Sequence, residues 1–185
     1  MISRMFMLFP ALAALTASPS LAQEGALPAP QVREAMAKLG WMKGEWDGTG
    51  WRVTPQGRED FAAHELVEPQ VEGLVLLLHG RGWALHEDGS IGEEAGHLAL
   101  GVLSYDAFRR TYVFDSYVKE GYQVRGNPAV GDNEFRWSHP AGPGVEMKYH
   151  ARLTDDGEWL ETGERCEAEA CSLFLEMRLK KIGAE

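Results

Sequence analysis

Five charged or titratable residues stand inside stretches that are otherwise apolar, and these residues could do chemistry. They are Glu65, His97, Arg125, Glu164 and Glu176. A few polar groups that converge in an apolar, aromatic-lined cavity are the usual construction of a small-molecule site. A histidine next to a carboxylate can also act as a general acid or base. The same five residues are compatible with exposed positions, or with internal ion pairs that set the register of strands.

The histidines, serines and glycines do not form the motifs of a metal site, a nucleophile or a phosphate loop. The chain has six histidines, but it contains neither H-E-x-x-H nor His-x-His. Ser104 and Ser116 lie outside any G-x-S-x-G turn. Gly48 and Gly50 lack the following helix that a phosphate-binding loop requires. We therefore predict no metal and assign no catalytic residue.

From Glu45 onward, apolar and polar residues alternate with a period of two, which is typical of strands. About ten strand candidates follow one another, with turn residues between most of them. They cover 45–54, 59–68, 74–84, 97–105, 111–118, 123–126, 134–138, 145–153, 159–165 and 172–181. Short connections favour an all-β fold, an antiparallel up-and-down β-barrel, because closure removes exposed strand edges. A β-sandwich is the alternative.

The segment from Gly40 to Trp51 contains three of the six tryptophans and is predicted to include the first strand. Trp46 is expected to plug one end of the barrel, with Gly48 and Gly50 keeping the interior open beside it. On another strand, His97 and Tyr105 share a face that we expect to look inward. The predicted ligand-binding cavity contains Trp46, Gly48, Gly50, Glu65, His97, Tyr105, Ser116, Trp137, Glu164 and Glu176.

The N-terminal residues predict export and a short helix. Arg4 precedes an apolar run of signal-peptide length, and Ser20-Leu21-Ala22 offers a cleavage site, so residues 1–22 read as a signal peptide. Residues 23–29 form a flexible lead-in, and residues 30–183 form a single domain that opens with a short helix. The apolar run is too short to span a bilayer, so no membrane insertion is expected after cleavage. The protein is predicted to be periplasmic or secreted.

The chain is acidic, with 18 Lys and Arg against 28 Asp and Glu, which gives a formal net charge of −10. Loss of residues 1–22 would remove Arg4 and leave −11. A negative surface repels phosphate backbones, so we expect no nucleic-acid partner.

The two cysteines, Cys166 and Cys171, are an even pair in a chain predicted to be exported, which favours one structural disulfide. The alternative is a pair of free thiols or a redox couple. The spacing is not that of C-x-x-C, and Arg165 is the one basic neighbour that would lower a thiol pKa.

Several motifs together resemble a known family. The segment 44–51, Gly-Glu-Trp-Asp-Gly-Thr-Gly-Trp, resembles the G-x-W opening strand of the calycins, the group of lipocalins and fatty-acid-binding proteins. The segments 67–69, 73–77, 97–106, 153–157, 163–164 and 174–179 match, in order and spacing, an uncharacterised lipocalin-like family of often exported bacterial proteins. The resemblance implies a ten-stranded antiparallel barrel, similar to that of nitrobindin, a haem-binding calycin.

The resemblance does not carry haem binding with it. Nitrobindin-type barrels place the haem-ligating histidine in the last strand, whereas the last predicted strand here has no histidine and carries Glu176 near that position. A carboxylate is a poor substitute for imidazole on haem iron. We therefore expect no haem and no other cofactor.

Three functions remain open from the sequence. The first is binding of a small, largely apolar or amphipathic ligand inside the barrel, with glutamates and His97 fixing its polar end. The second is an isomerase or hydrolase that uses His97 with an acidic residue. The third is a barrel with a filled interior that acts through its surface.

Overall fold

The structure, a computed structural model, describes residues 29–168 and 170–183 of the 185-residue chain. The predicted signal peptide, 1–22, and the lead-in up to residue 28 lie outside the described residues. The helix α1 spans Ala29–Ala37, and a turn of 3-10 helix follows at Gly40–Met42. The strands are β1 (Gly44–Thr54), β2 (Gly57–Gln70), β3 (Val75–Leu85), β4 (Ile91–Asp106), β5 (Thr111–Val118), β6 (Gln123–Gly126), β7 (Ala129–Gly131), β8 (Glu134–Gly142), β9 (Val145–Leu153), β10 (Trp159–Glu167) and β11 (Ala170–Ile182).

These strands form one curled antiparallel sheet in the order β6-β5-β4-β3-β2-β1-β11-β10-β9-β8-β7. Neighbours in the sheet are neighbours in sequence, except that β1 pairs with β11. The predicted all-β, up-and-down architecture is confirmed, and a single sheet contradicts the sandwich alternative. The ladder ends at β6 and β7, so the sheet is a half-barrel with a seam between these two short strands.

The ten predicted strands are all present, and two details differ. An eleventh strand, β7, has three residues, which is too short to show a period in the sequence. The strand β4 begins at Ile91, six residues before the predicted start at His97. The beginning of β4 includes the adjacent exposed residues Glu93 and Glu94, one on each face of the strand. The apolar–polar alternation that predicts a strand is therefore missing there.

One end of the half-barrel is closed by the N-terminal segment. The strand β1 starts at this end, beside the chain that leaves α1, and Leu39, Met42 and Trp46 are all buried there. The indole N–H of Trp46 donates to the carbonyl oxygen of Met42 at 2.8 Å, which ties the first strand to the closing turn. The Tyr112 hydroxyl donates to the carbonyl oxygen of Ala35 at 2.9 Å, so β5 holds the helix in place. The prediction of Trp46 as an end plug agrees with this arrangement.

The opposite end carries the connections β1–β2, β3–β4, β5–β6, β8–β9 and β10–β11. Cys166 and Cys171 face each other across the last of these connections and form a disulfide. The predicted structural disulfide is therefore confirmed. Disulfides persist in oxidising compartments, so this bond fits a location outside the cytoplasm. Within the described ranges, no helix has the length and apolarity needed to cross a membrane.

Gly48 and Gly50 were expected to keep the interior open, but they lie in close contact with neighbouring strands. A Cβ at Gly48 would lie 1.9 Å from the backbone oxygen of Arg178, and one at Gly50 would lie 2.6 Å from the Phe61 ring. These glycines let β1 bend closely against β11, since any side chain would meet backbone or a ring. They do not hold space open for a ligand, which corrects the sequence-based expectation.

Candidate functional site

The concave face of the sheet encloses a cavity of about 1250 Å³. Its floor lies at the closed end, where Met42 and Trp159 border it. Its rim lies at the opposite end and includes Arg58, Glu87 and Pro140, close to the connections between strands. A volume of this size accommodates a drug-sized molecule. The cavity contradicts the alternative of a barrel with a filled interior.

Aromatic rings form much of the wall on the β8–β9 side. Trp137 stacks on Tyr149 with ring centroids 4.4 Å apart and an interplanar angle of 10°. Phe114 from β5 meets Trp137 edge-on at 4.9 Å, which packs the two sides of the seam together. Phe174 from β11 meets Tyr149 edge-on at 5.8 Å. This wall offers apolar contact to a ligand and supports the sheet where β6 and β7 end.

A bulge brings Phe174 into this wall. Gly163 of β10 pairs with Leu175, and Glu164 pairs with Leu173, so Phe174 is the extra residue on β11. A Cβ at Gly163 would lie 2.8 Å from the Phe174 ring, which shows that the ring occupies the space a side chain would take. Bulges redirect side chains in this way. Both Phe174 and Leu175 line the cavity as a result.

Two glutamates lie in the deep part of the cavity. Glu65 projects from β2 and Glu161 from β10, and both line the cavity. Protein surrounds both side chains. Each is nevertheless only half-buried, because it exposes part of its surface to the cavity. Burial, with repulsion from Glu161, raises the pKa of Glu65 to about 8. Burial also raises the pKa of Glu161 to about 7, partly offset by the nearby Trp159 indole. At neutral pH, Glu65 is protonated and Glu161 is close to its midpoint.

The position of Glu65 depends on a glycine in the neighbouring strand. Glu65 pairs with Gly80 of β3, and a Cβ at Gly80 would lie 2.8 Å from Glu65 Oε1. Only glycine leaves room for the carboxyl group to lie against β3 at this point. Trp46 is the β1 partner of Glu65, so the carboxyl lies above the closed end.

His97 and Ser116 line the same cavity from β4 and β5. Burial lowers the pKa of His97, and the nearby cations Arg52 and Lys119 add to this while Glu120 opposes it. The imidazole is therefore neutral at neutral pH. The charged groups that act on His97 include Glu120 but neither Glu65 nor Glu161, so the use of His97 with an acidic residue stays a prediction.

Of the ten predicted cavity residues, the structure brings four together, namely Glu65, His97, Ser116 and Trp137. The other six are Trp46, Gly48, Gly50, Tyr105, Glu164 and Glu176, and they lie elsewhere. Trp46 belongs to the buried core under the cavity, and Tyr105 packs against Tyr112 at 5.0 Å near the closed end.

The two remaining glutamates point outward, because they alternate with inward residues. Glu164 is exposed. Glu176 lies between the inward residues Leu175 and Met177 and pairs with Arg178 at 3.4 Å. Arg125, the fifth polar candidate, also lies outside, where its Nε contacts Asp115 Oδ1 at 2.6 Å.

Glu161, Tyr149 and Phe174 line the cavity but are not among the residues predicted from the sequence. Glu161 had a usable signal, since it lies two residues after Trp159 and two before Gly163 on one face of a strand. Tyr149 lies on an apolar face of β9, but its closeness to Glu161 depends on the neighbouring strand β10. Burial raises the pKa of Tyr149 to about 12, and the charge of Glu161 adds to this effect. Phe174 faces the cavity because of the bulge in β11, and the alternation of residue types in the sequence does not indicate a bulge.

The structure also bears on metal and haem. In the part of the chain that is described, the one cluster of potential metal ligands is Glu164, Cys166 and Cys171, and its two sulfurs are joined in the disulfide. A disulfide sulfur is not a thiolate ligand. Glu176, which the resemblance places near the haem-ligand position, faces away from the cavity. The expected absence of a cofactor stays a prediction.

The chain forms one curled antiparallel half-barrel, which fits a calycin-like fold. The crystal structure of Rv2717c from M. tuberculosis has the same fold, with a TM-score of 0.57 and 16% sequence identity. The match covers 80% of this chain and 98% of that chain. At this identity, the likeness shows the fold alone. Comparison with protein-family models gives no match, and comparison with curated proteins gives no significant match.

Proposed function

We propose that this protein binds a small, largely apolar ligand inside the half-barrel. The observation that carries the proposal is the cavity of about 1250 Å³, which is lined by aromatic rings and contains a few polar groups at its deep end. Ligand sites generally combine these features, because apolar walls supply affinity and a few polar groups fix orientation.

We also propose that binding takes place outside the cytoplasm. The signal-peptide pattern of residues 1–22 supports export, and the disulfide between Cys166 and Cys171 is consistent with an oxidising compartment. The ligand is then one that is available in the periplasm or in the medium.

A cavity-filling substitution tests the proposal. Ala99 lies on the cavity wall of β4, so an Ala99→Trp variant places a large ring where the ligand would lie. Leu98 precedes it on the same strand and is 40% exposed on the outer face, so Leu98→Trp is the matched control. Titration with a fluorescent fatty-alcohol analogue should show binding to the parent and to Leu98→Trp, and about tenfold weaker binding to folded Ala99→Trp.

The titration is run at acid and neutral pH, because Glu161 titrates near neutrality. Circular dichroism checks that both variants fold. Failure of the parent to bind the analogue at either pH would overturn the proposal. Equal binding to both tryptophan variants would place the ligand outside the cavity.

In the enzyme alternative, His97 works with an acidic residue, and Glu120 is the acidic residue that acts on it. This alternative stays a prediction, and His97→Ala tests it. Loss of turnover of a small substrate with ligand binding retained would support an enzyme.

A further inference from the structure

The two buried glutamates define the kind of head group that this cavity receives. Burial and repulsion from Glu161 shift the pKa of the Glu65 carboxyl, and no hydrogen bond contributes to this shift. The one polar neighbour of Glu161 is the indole N–H of Trp159. Both carboxyls expose their remaining surface to the cavity, so a bound ligand could supply the partner that such groups normally have.

Trp159 is the second observation that points to a ligand. Its ring is 2% exposed, and its Nε1 is buried without a hydrogen bond of good geometry among the described residues. The same N–H lies near Glu161 and favours its ionised form. An unpartnered donor beside a carboxyl is best satisfied when that carboxyl carries a negative charge. The site is therefore arranged for an ionised glutamate, although the empty cavity favours the neutral acid.

A positive charge in the cavity would stabilise the ionised form of Glu161. Arginines line the cavity at Arg52, Arg58 and Arg81, but none of them is among the groups that shift the pKa of Glu65 or Glu161. A ligand carboxylate would add a third acid to the pair and increase the repulsion. An ammonium group would instead form charge-assisted hydrogen bonds to both carboxylates.

The aromatic wall fits the remainder of such a ligand. Tyr149 lies close enough to Glu161 for the glutamate charge to raise its pKa, so the stack of Tyr149 on Trp137 borders the acid pair. Aromatic faces attract cations and also pack against the apolar groups next to them.

We propose that Glu65 and Glu161 together bind the ammonium group of an organic amine whose apolar body lies along the Trp137–Tyr149 wall. This inference rests on the proposed binding function and names the ligand class for the same cavity. Gly80 contributes by letting the Glu65 carboxyl lie against β3, and Trp159 contributes by donating to the ionised Glu161.

The test compares three ligands of equal chain length, decylamine, decanol and decanoic acid, by isothermal titration calorimetry on the purified protein. Decylamine should bind at least about tenfold more tightly than the other two, because only it gains charge-assisted contacts. Glu65→Gln and Glu161→Gln should each weaken decylamine by about tenfold and leave decanol nearly unchanged. Glu164→Gln removes an exposed glutamate on the outer face of β10 and should leave all three affinities unchanged.

The outcomes separate this inference from the proposed function. Binding of none of the three ligands would overturn both. Decanol or decanoic acid binding as tightly as decylamine would overturn the amine and leave the apolar cavity function standing. An amine preference that survives in both folded glutamine variants would also overturn the assignment to these glutamates. Should either variant fail to fold, the ligand series on the parent protein decides alone.

Discussion

Glu65→Gln should make the protein more stable at alkaline pH than the parent. Glu65 lies in the deep part of the cavity, and burial with repulsion from Glu161 raises its pKa from 4.5 to about 8. Glutamine has nearly the same shape and never ionises. The variant therefore avoids the cost of placing a charge in this cavity while keeping the packing around it.

The sign follows from linkage between protonation and folding. The folded-state pKa lies above the unfolded one, so the unfolded chain loses its proton first as the pH rises. The stability of the parent is complete below about pH 4.5 and falls until about pH 8. At 1.36 kcal/mol for each pH unit, the full loss is about 5 kcal/mol. Water that enters the cavity will reduce this value, so we expect about 2 to 5 kcal/mol.

The assay is urea unfolding of the parent and Glu65→Gln between pH 5 and pH 9. The difference in free energy of unfolding should grow with pH in favour of the variant. Taking the difference cancels other groups, such as His97, whose lowered pKa makes it a source of instability at acid pH. Glu164→Gln, which removes an exposed carboxyl, should show no such growth. Parallel pH profiles for the parent and Glu65→Gln would refute a buried, neutral Glu65.

Two further substitutions test the closed end of the half-barrel by urea unfolding. Gly48→Ala should lower the free energy of unfolding by more than about 2 kcal/mol, because its Cβ would lie 1.9 Å from a backbone oxygen of β11. Gly40→Ala adds a methyl group with nothing within 4 Å and should be nearly neutral, and equal effects at both sites would contradict the close approach. Trp46→Phe removes the buried hydrogen bond to the Met42 carbonyl and should cost roughly 1 to 3 kcal/mol. No loss would mean that this bond does not anchor β1.

Some of the cavity was readable from the sequence because it depends on local alternation. Trp137 and His97 face inward as predicted, since residues two apart on a strand share a face. The same rule, applied from Trp159, would have found Glu161. It failed for Glu164 and Glu176, because alternation has two phases, and a glutamate in an apolar strand can take either.

The sequence by itself determined the number and order of most strands, the turns between them and the disulfide pairing. These follow from period-two patterning, turn residues and a count of two cysteines, all of which are local or have a single solution. Tertiary structure alone decided that Glu65 and Glu161 share one cavity, because the pairing of β1 with β11 joins β2 and β10 into one curled sheet. It also decided that Gly48 serves a close strand contact and that a bulge turns Phe174 inward. Such features depend on the register between distant strands, which no local pattern encodes.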